Sequence, residues 1–465
     1  MGRFSTFRVV LYPWFQRDLP GEIDKRIAQE IGRAHLRLFQ VYTKELPHYR
    51  FVDLYRATEH YCEQRGESVK IESEHEESLN SILHSKPARW VSRRIKRASR
   101  VAWPIGPGEE SYLPLDVFWL CKDRSAPDPS QLIVRLRYVP HMERAILEAA
   151  SDKPSSAEAA VTSIVGHSAE VSIYRNKVLE LTFESGAKDE YGDVERPDRL
   201  RVLFKAYEHV GDDDIVIDDT VRQILWRNII DLHLRRDVLK AHHVPVRRGV
   251  LLYGPPGTGK TFACRYLCEK LPNATRIIAT GTALLQVSSV FSLARMLQPA
   301  LLILEDVDLV FASREINLYS SVLGDLLDQM DGLRPHEDVG IVLTTNSIDR
   351  LEAAIKDRPG RISQCIFFGP PTPELRKRYL VHYLHHYEPL TVDLDELVAR
   401  SNGATQAFLK EWVHRAVQIA AERLDTVRGG LELRNDDFHT ALAEMRQFSE
   451  GSTGRIIGFH EKGRT

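Results

Sequence analysis

The chain has 465 residues, a net charge of −2, 43% apolar and 28% charged residues. That length exceeds a single hydrophobic core and predicts about two to four domains. The near-neutral balance gives no overall electrostatic footprint for nucleic acid or a membrane surface, and no run of about eighteen apolar residues announces a membrane span, so a cytoplasmic protein is expected.

The N-terminal stretch MGRFSTFRVVLYPWFQRDLP is interrupted by charges and Pro13 and does not form the apolar core of a signal sequence. Residues 22–48 carry apolar residues at helical spacing, as does FVDLYRATEHYCEQRG. An acidic stretch, ESVKIESEHEES, precedes a basic one at 86–100 (KPARWVSRRIKRASR). LPLDVFWLCKD and QLIVRLRYVP read as two strands around a Ser/Pro/Asp turn, HMERAILEAAS as a helix, and DKPSSAEAA as a connector. VSIYRNKVLELTFE and RLRVLFKAYE are two more strand candidates. The first 205 residues thus predict a mixed α/β region, the candidate for client recognition.

From Asp212 the pattern sharpens. VRQILWRNIIDLHLRRDVLK predicts a helix, and VRRGVLLYG a buried strand that runs into a glycine-rich turn. TRIIAT, ALLILEDVD, GIVLTTN and QCIFFG are further short apolar strands alternating with helices, the mark of a parallel sheet covered on both faces. Beyond Pro373 only helical patterns follow. The expected organisation is a large nucleotide-binding domain at 206–372, a helical lid at 373–448 and a tail at 449–465. Of the five cysteines (Cys62, Cys121, Cys264, Cys268 and Cys365), Cys264 and Cys268 lie four apart on a predicted helix. With no second His/Cys cluster nearby they are expected to be core thiols.

The chemistry concentrates in three segments. Gly254-Pro255-Pro256-Gly257-Thr258-Gly259-Lys260-Thr261 fits G-x-x-x-x-G-K-[ST] between a strand and a helix that opens with Phe262. Such glycines let backbone N–H groups turn toward phosphate oxygens at a helix N-terminus. Lys260 would then neutralise the β- and γ-phosphates, and the Thr261 hydroxyl would help to hold Mg²⁺. The strand ALLIL ends in Glu305-Asp306, paired carboxylates in which Glu305 takes the metal role and Asp306 polarises the attacking water. The usual order is Asp then Glu, so the water-polarising side chain here is shorter by one methylene. Asn346 ends the next strand, where it can face the γ-phosphate, and Arg358 and Arg361 flank a Pro-Gly turn from which arginines can reach a neighbour's nucleotide.

Together GPPGTGKT, LEDVD, LLDQMDGL, TTNSIDRLEAAIKDRPGR and NGATQAFLKEWVHRA resemble the AAA ATPases over roughly residues 212–448. The resemblance implies a P-loop NTPase α/β fold with a helical lid, with ATP and Mg²⁺ as cofactors. It makes Asn346 the first sensor and Arg358 and Arg361 the arginine fingers, Arg358 on a loop one residue longer than usual. It also sets Gln406 and Ala407 against the adenosine, where the family usually has Gly-Ala, and Tyr383 near the ribose. The Glu-Asp order and a short segment between Ile278 and Phe291 are most similar to one branch. That branch contains the mitochondrial translocase of a folded iron–sulfur (Rieske) subunit and its soluble bacterial relatives. The short segment offers Leu284, Leu285, Gln286 and Val287 but no aromatic residue followed by glycine, the element with which AAA unfoldases grip an extended chain.

The resemblance implies a homo-oligomeric ring, a hexamer or heptamer, that remodels, assembles or moves a folded protein client. Two alternatives stand beside it. One is a slow nucleotide-gated scaffold or switch, which the Glu-Asp order favours. The other is a nucleic-acid motor, supported only by the basic run of Arg89, Arg93, Arg94, Lys96, Arg97 and Arg100 with Trp90. On a helix such spacing gives a solvated face or an intersubunit charge patch.

Overall fold

The computed structural model describes residues 22–32, 36, 38–87, 91–123, 131–184, 186–188, 194–196, 199–207, 209–212, 214–246, 248–308, 316–334, 337–348, 362–387, 391–423 and 431–447. Two compact units divide at Ala206 and Tyr207. Among the described residues no helix is long and apolar enough to cross a membrane.

The first unit is built on β1 (Gln40–Pro47), β2 (Gly66–Glu72), β5 (Asp116–Asp123), β6 (Gln131–Val139) and β7 (Arg144–Ser151), paired antiparallel in the order β1-β7-β6-β5-β2. A hairpin, β3 (Arg100–Gly106) with β4 (Glu109–Pro114), and two antiparallel pairs, β8 (Val178–Glu184) with β11 (Arg199–Phe204) and β9 (Ala187–Lys188) with β10 (Val194–Arg196), complete it. Trp119 and Cys121 face the helix Phe51–Gln64, whose Tyr55 ring lies 5.7 Å from Trp119. Phe118 and Leu120 face the other way, into a cluster with Ile23 and Ile27 of helix Ile23–Ile31 and Leu79 and Ile82 of helix Leu79–His84. Burial on both faces explains the unbroken apolar run Val117–Cys121 of β5, while the run in β6 is interrupted by the fully buried Arg135.

Four expectations are corrected here. RAILEAAS is strand β7 rather than helix, because it is hydrogen-bonded between β1 and β6 and buried from Ala145 to Ser151. DKPSSAEAA is no connector, since a helix starts at Pro154, whose missing N–H costs nothing in a first turn, and runs to Glu170. Within 22–48 the helix stops at Ile31, and Gln40–Pro47 is strand β1. The described part of the basic run is not helical. It lies extended, bridged by Arg97 to Ser73 of the acidic stretch and by Arg94 to Glu22. Arg93, only 4% exposed, pairs with Glu77 at 2.8 Å, and Arg100 with Glu72 at 2.6 Å. Arg89 and Trp90 fall outside the described residues.

The second unit holds five parallel strands, β12 (Arg248–Tyr253), β13 (Thr275–Thr280), β14 (Ala300–Glu305), β15 (Val339–Thr345) and β16 (Gln364–Phe367), in the order β13-β14-β15-β12-β16. This is the expected α/β sheet with helices. The helix expected over 221–240 consists of Asp219–Leu225, a π-turn at Trp226–Ile230, Asp231–Leu234 and Arg236–Ala241. C-terminal helices Pro373–Leu384, Leu394–Arg400, Gln406–Ala421 and Asn435–Gln447 pack around Trp412, whose indole N–H donates to the Phe438 carbonyl at 2.8 Å. Cys264 and Cys268 are buried free thiols, as expected.

Candidate functional site

In a parallel sheet every strand ends on the same edge, so the loops after β12, β14 and β15 converge there. After β12 the chain turns through the glycine-rich loop into helix Lys260–Lys270. Gly254 has φ 145°, and a Cβ there would run into the Phe368 carbonyl. Gly259 has φ 99°, and a Cβ there would meet the Gln406 carboxamide. Only glycine fits either position. The Thr258 hydroxyl donates to the Pro255 carbonyl at 2.9 Å, closing the loop on itself. Lys260 is 6% exposed and donates to the carbonyls of Gly254 at 2.7 Å and Pro255 at 2.9 Å. Burial lowers its ammonium pKa from the ordinary 10.5, while Asp306 and Asp308 push the other way. Thr261 and Phe262 lie in the first turn of the same helix.

Strand β14 is buried from Ala300 to Leu304, and Glu305 at its end is half-buried. Glu305 lies on the side of the P-loop helix. Burial pushes the Cys264 thiol up, one turn beyond Lys260, and the nearby negative charge of Glu305 pushes it the same way. Asp306 then turns into the left-handed region, φ 50°, a conformation that costs a residue with a Cβ about 1–2 kcal/mol and that Asp tolerates better than most. Its amide donates to the Thr344 hydroxyl of the neighbouring β15 at 2.9 Å. Asn346, just past β15, donates from Nδ2 to Asp306 Oδ1 at 3.2 Å. The structure therefore brings Asp306 and Asn346 into direct contact, on the side of the carboxylates that Lys260 senses.

The helical subdomain meets the glycine loop with the start of helix Gln406–Ala421. Thr405 caps that helix, the Ala407 N–H donates to the Gly257 carbonyl at 3.0 Å, and Gln406 Nε2 donates to the Tyr383 hydroxyl at 3.3 Å. Gln406, Ala407 and Tyr383 thus form one group over the loop. Arg358 and Arg361 fall outside the described residues. The sequence reading missed two features. Asp308 joins the Asp306–Asn346 contact through β15, and only its place as a third carboxylate in LEDVD hinted at it. The segment before the first helix of the unit also ties to the lid. Tyr379 donates to the Val216 carbonyl, and Arg378 to that of Ile217 at 3.4 Å.

The donors that could hold a magnesium ion are the Thr261 hydroxyl and the Glu305 carboxylate. These are hard oxygen ligands of the kind Mg²⁺ takes, which usually needs only one or two from protein beside phosphate oxygens. In the segment between Ile278 and Phe291, where no gripping element is expected, Leu284 is 4% and Val287 6% exposed, both turned into the core, whereas Leu285 is 49% exposed.

Residues 250–370 match the family "ATPase family associated with various cellular activities (AAA)". The chain is 28% identical over 274 residues to the 26S proteasome regulatory subunit 8 homolog of Schizosaccharomyces pombe, covering 55% of this chain and 64% of that protein. It is 30% identical over 270 residues to proteasome-activating nucleotidase 2 of Haloferax volcanii (54% and 62%). To the ATP-dependent zinc metalloprotease FtsH 2 of Sphaerobacter thermophilus it is 30% identical over 234 residues (47% and 36%). Residues 250–370 are thus similar to the ATPase domain of the AAA family, and the chain spans about a third to two thirds of these relatives' lengths.

Proposed function

We propose that the chain is an ATP hydrolase that works as a homo-oligomeric ring, hexameric or heptameric, and uses turnover to remodel, assemble or move a folded protein client. The observation that carries the reading is the bond between Asp306 and Asn346 at the sheet edge shared with Lys260. In this reading the loop N–H groups and Lys260 bind the phosphates, and Thr261 and Glu305 hold Mg²⁺, which when bound supplies positive charge to the phosphate oxygens. Asp306 accepts a proton from the water as its oxygen attacks the γ-phosphorus and ADP leaves. Asn346 orients that water and the γ-phosphate. Gln406, Ala407 and Tyr383 cover the adenosine. Arg358 and Arg361 act on the nucleotide of the next subunit, so each site is shared and a head-to-tail contact closes by rotation.

A folded client is supported by the Ile278–Phe291 segment, where Leu284 and Val287 are buried and the one exposed leucine has no aromatic beside it. That segment and the Glu305-Asp306 order also support kinship with the branch of the folded-Rieske translocase. A slow scaffold or switch remains the second reading, favoured by the shorter Asp306, and steady-state turnover separates the two. Doping Arg361→Ala subunits into wild type tests the shared site. ATPase activity is expected to fall more steeply than dilution, and a monomer fully active at low concentration rules the ring out.

A further inference from the structure

Backbone pairing between β14 and β15 runs as far as Leu304 and Leu343. Beyond that point side chains take over the task of holding the two strand ends. Asp308 Oδ1 accepts from the Thr345 hydroxyl at 3.0 Å and from the Asn346 amide N–H at 3.0 Å. Asn346 Nδ2 donates to Asp306 Oδ1, and the Asp306 amide donates to Thr344 Oγ1. The four bonds form a closed circuit in which each strand end grips the other twice, and Thr344 and Thr345 are buried within it.

We propose that Asp308 is a positioning residue for ATP hydrolysis. It fixes the backbone and hydroxyl at the end of β15 so that the Asn346 carboxamide holds the Asp306 carboxylate in place. The inference rests on the functional reading above. Asp306 is a short side chain on a left-handed residue, with no spare methylene to recover reach if its partner moves. A misplacement of about 1 Å at a reacting group costs on the order of 10²-fold in rate. A carboxylate accepting two hydrogen bonds holds them more strongly than a neutral acceptor does. An asparagine at 308 nevertheless keeps an oxygen able to accept both, whereas alanine keeps none.

The test uses the full-length chain. Steady-state ATP hydrolysis, the dissociation constant of a fluorescent ATP analogue and thermal melting are measured for wild type, Asp308→Ala, Asp308→Asn, Asn346→Ala and the Asp308→Ala/Asn346→Ala pair. Asp308→Ala is expected to lower kcat about 10- to 100-fold while KM and nucleotide affinity stay within about threefold. Asp308→Asn is expected to recover most of the loss. The double variant is expected to be about as slow as Asn346→Ala alone, because both changes break one circuit. Wild-type kcat in Asp308→Ala, losses that multiply in the double variant, or no recovery in Asp308→Asn each overturns the inference. If Asp308→Ala does not fold, Thr345→Val removes one of the two donors and must lower kcat without changing nucleotide affinity; an unchanged kcat overturns the inference equally. A wild-type chain that does not hydrolyse ATP breaks the functional reading itself, which is a distinct result.

Discussion

The antiparallel sheet of the first unit and the parallel sheet of the second both carry charged side chains, but they handle them in opposite ways. In the first, Arg135 sits mid-strand with no exposed surface. It donates to Asp116 Oδ1 at 2.9 Å and Oδ2 at 2.7 Å, to Glu148 at 3.3 Å, and to the carbonyls of His75 at 2.7 Å and Glu77 at 2.6 Å. Glu148 in turn accepts from the Leu79 N–H at 2.8 Å, at the start of helix Leu79–His84. Every donor is aimed at the protein itself, and the cluster pins the 73–78 loop across the sheet. In the second sheet the charges stand at strand ends. Asp306 and Asp308 are only half-buried and Asn346 is exposed, so one side of the cluster faces solvent. Buried and fully paired, charge builds architecture. At the open edge of a parallel sheet, the same residue types are available for a ligand.

The largest effect that can break this comparison comes from Arg135→Ala. It leaves Asp116 buried without its cation and Glu148 with only the longer pair to Arg137 at 3.6 Å, and is expected to destabilise the first unit by about 3–5 kcal/mol in denaturant unfolding, with ATP affinity unchanged. Lost nucleotide binding in a folded variant would mean that the cluster serves the site after all.

A smaller effect is hidden by two opposing titrations in the first unit. Burial pushes Asp53 up to about 6 from 3.8, against the bonds from Ser172 and Ile173 that favour its charged form. Burial pushes His48 down to about 4 from 6.5. Between pH 4 and 6 the folded chain keeps the Asp53 proton that the unfolded chain has lost, so Asp53 weakens stability as pH rises. Over nearly the same range the unfolded chain holds a His48 proton that the folded chain lacks, so His48 strengthens stability as pH rises. Each amounts to at most about 1.4 kcal/mol per pH unit. Asp53→Asn is expected to leave stability rising from about pH 4 to 6.5, and His48→Gln to leave it falling from about pH 4 to 6. Identical pH profiles for the two variants would contradict both assignments. The smallest effect is expected from Leu285→Ala, which should not change how the chain treats a tightly folded reporter carrying an unstructured tag. ATP-dependent unfolding of that reporter, abolished by the substitution, would sink the folded-client proposal.

Legibility in the sequence followed the range of the interactions. The glycine-rich loop could be read directly because its requirement for positive φ is local to Gly254 and Gly259, whereas the close approaches of Phe368 and Gln406 to them come from distant sequence. The five parallel strands were equally plain, since burial on both faces leaves unbroken apolar runs. RAILEAAS was misread because Ala, Leu and Glu favour helix and only pairing with β1 and β6 decides otherwise. The basic run reads as a solvated helical face because its partners, Glu72 and Glu77, lie 28 and 16 residues away from Arg100 and Arg93. Asp308 escaped for a similar reason. Nothing in LEDVD separates a carboxylate that meets the reacting water from one that holds its neighbour, and the bonds that separate them cross to residues 345 and 346.

The central claim is that the open edge of the parallel sheet hydrolyses ATP with Asp306 polarising the water. ATP binding and steady-state turnover of Asp306→Asn, beside wild type and Lys260→Ala, test it most directly. Lys260→Ala is expected to lose binding or turnover. Asp306→Asn is expected to bind ATP with wild-type affinity and to turn over at least about 10²-fold more slowly. An Asp306→Asn chain that hydrolyses ATP at the wild-type rate would contradict the account.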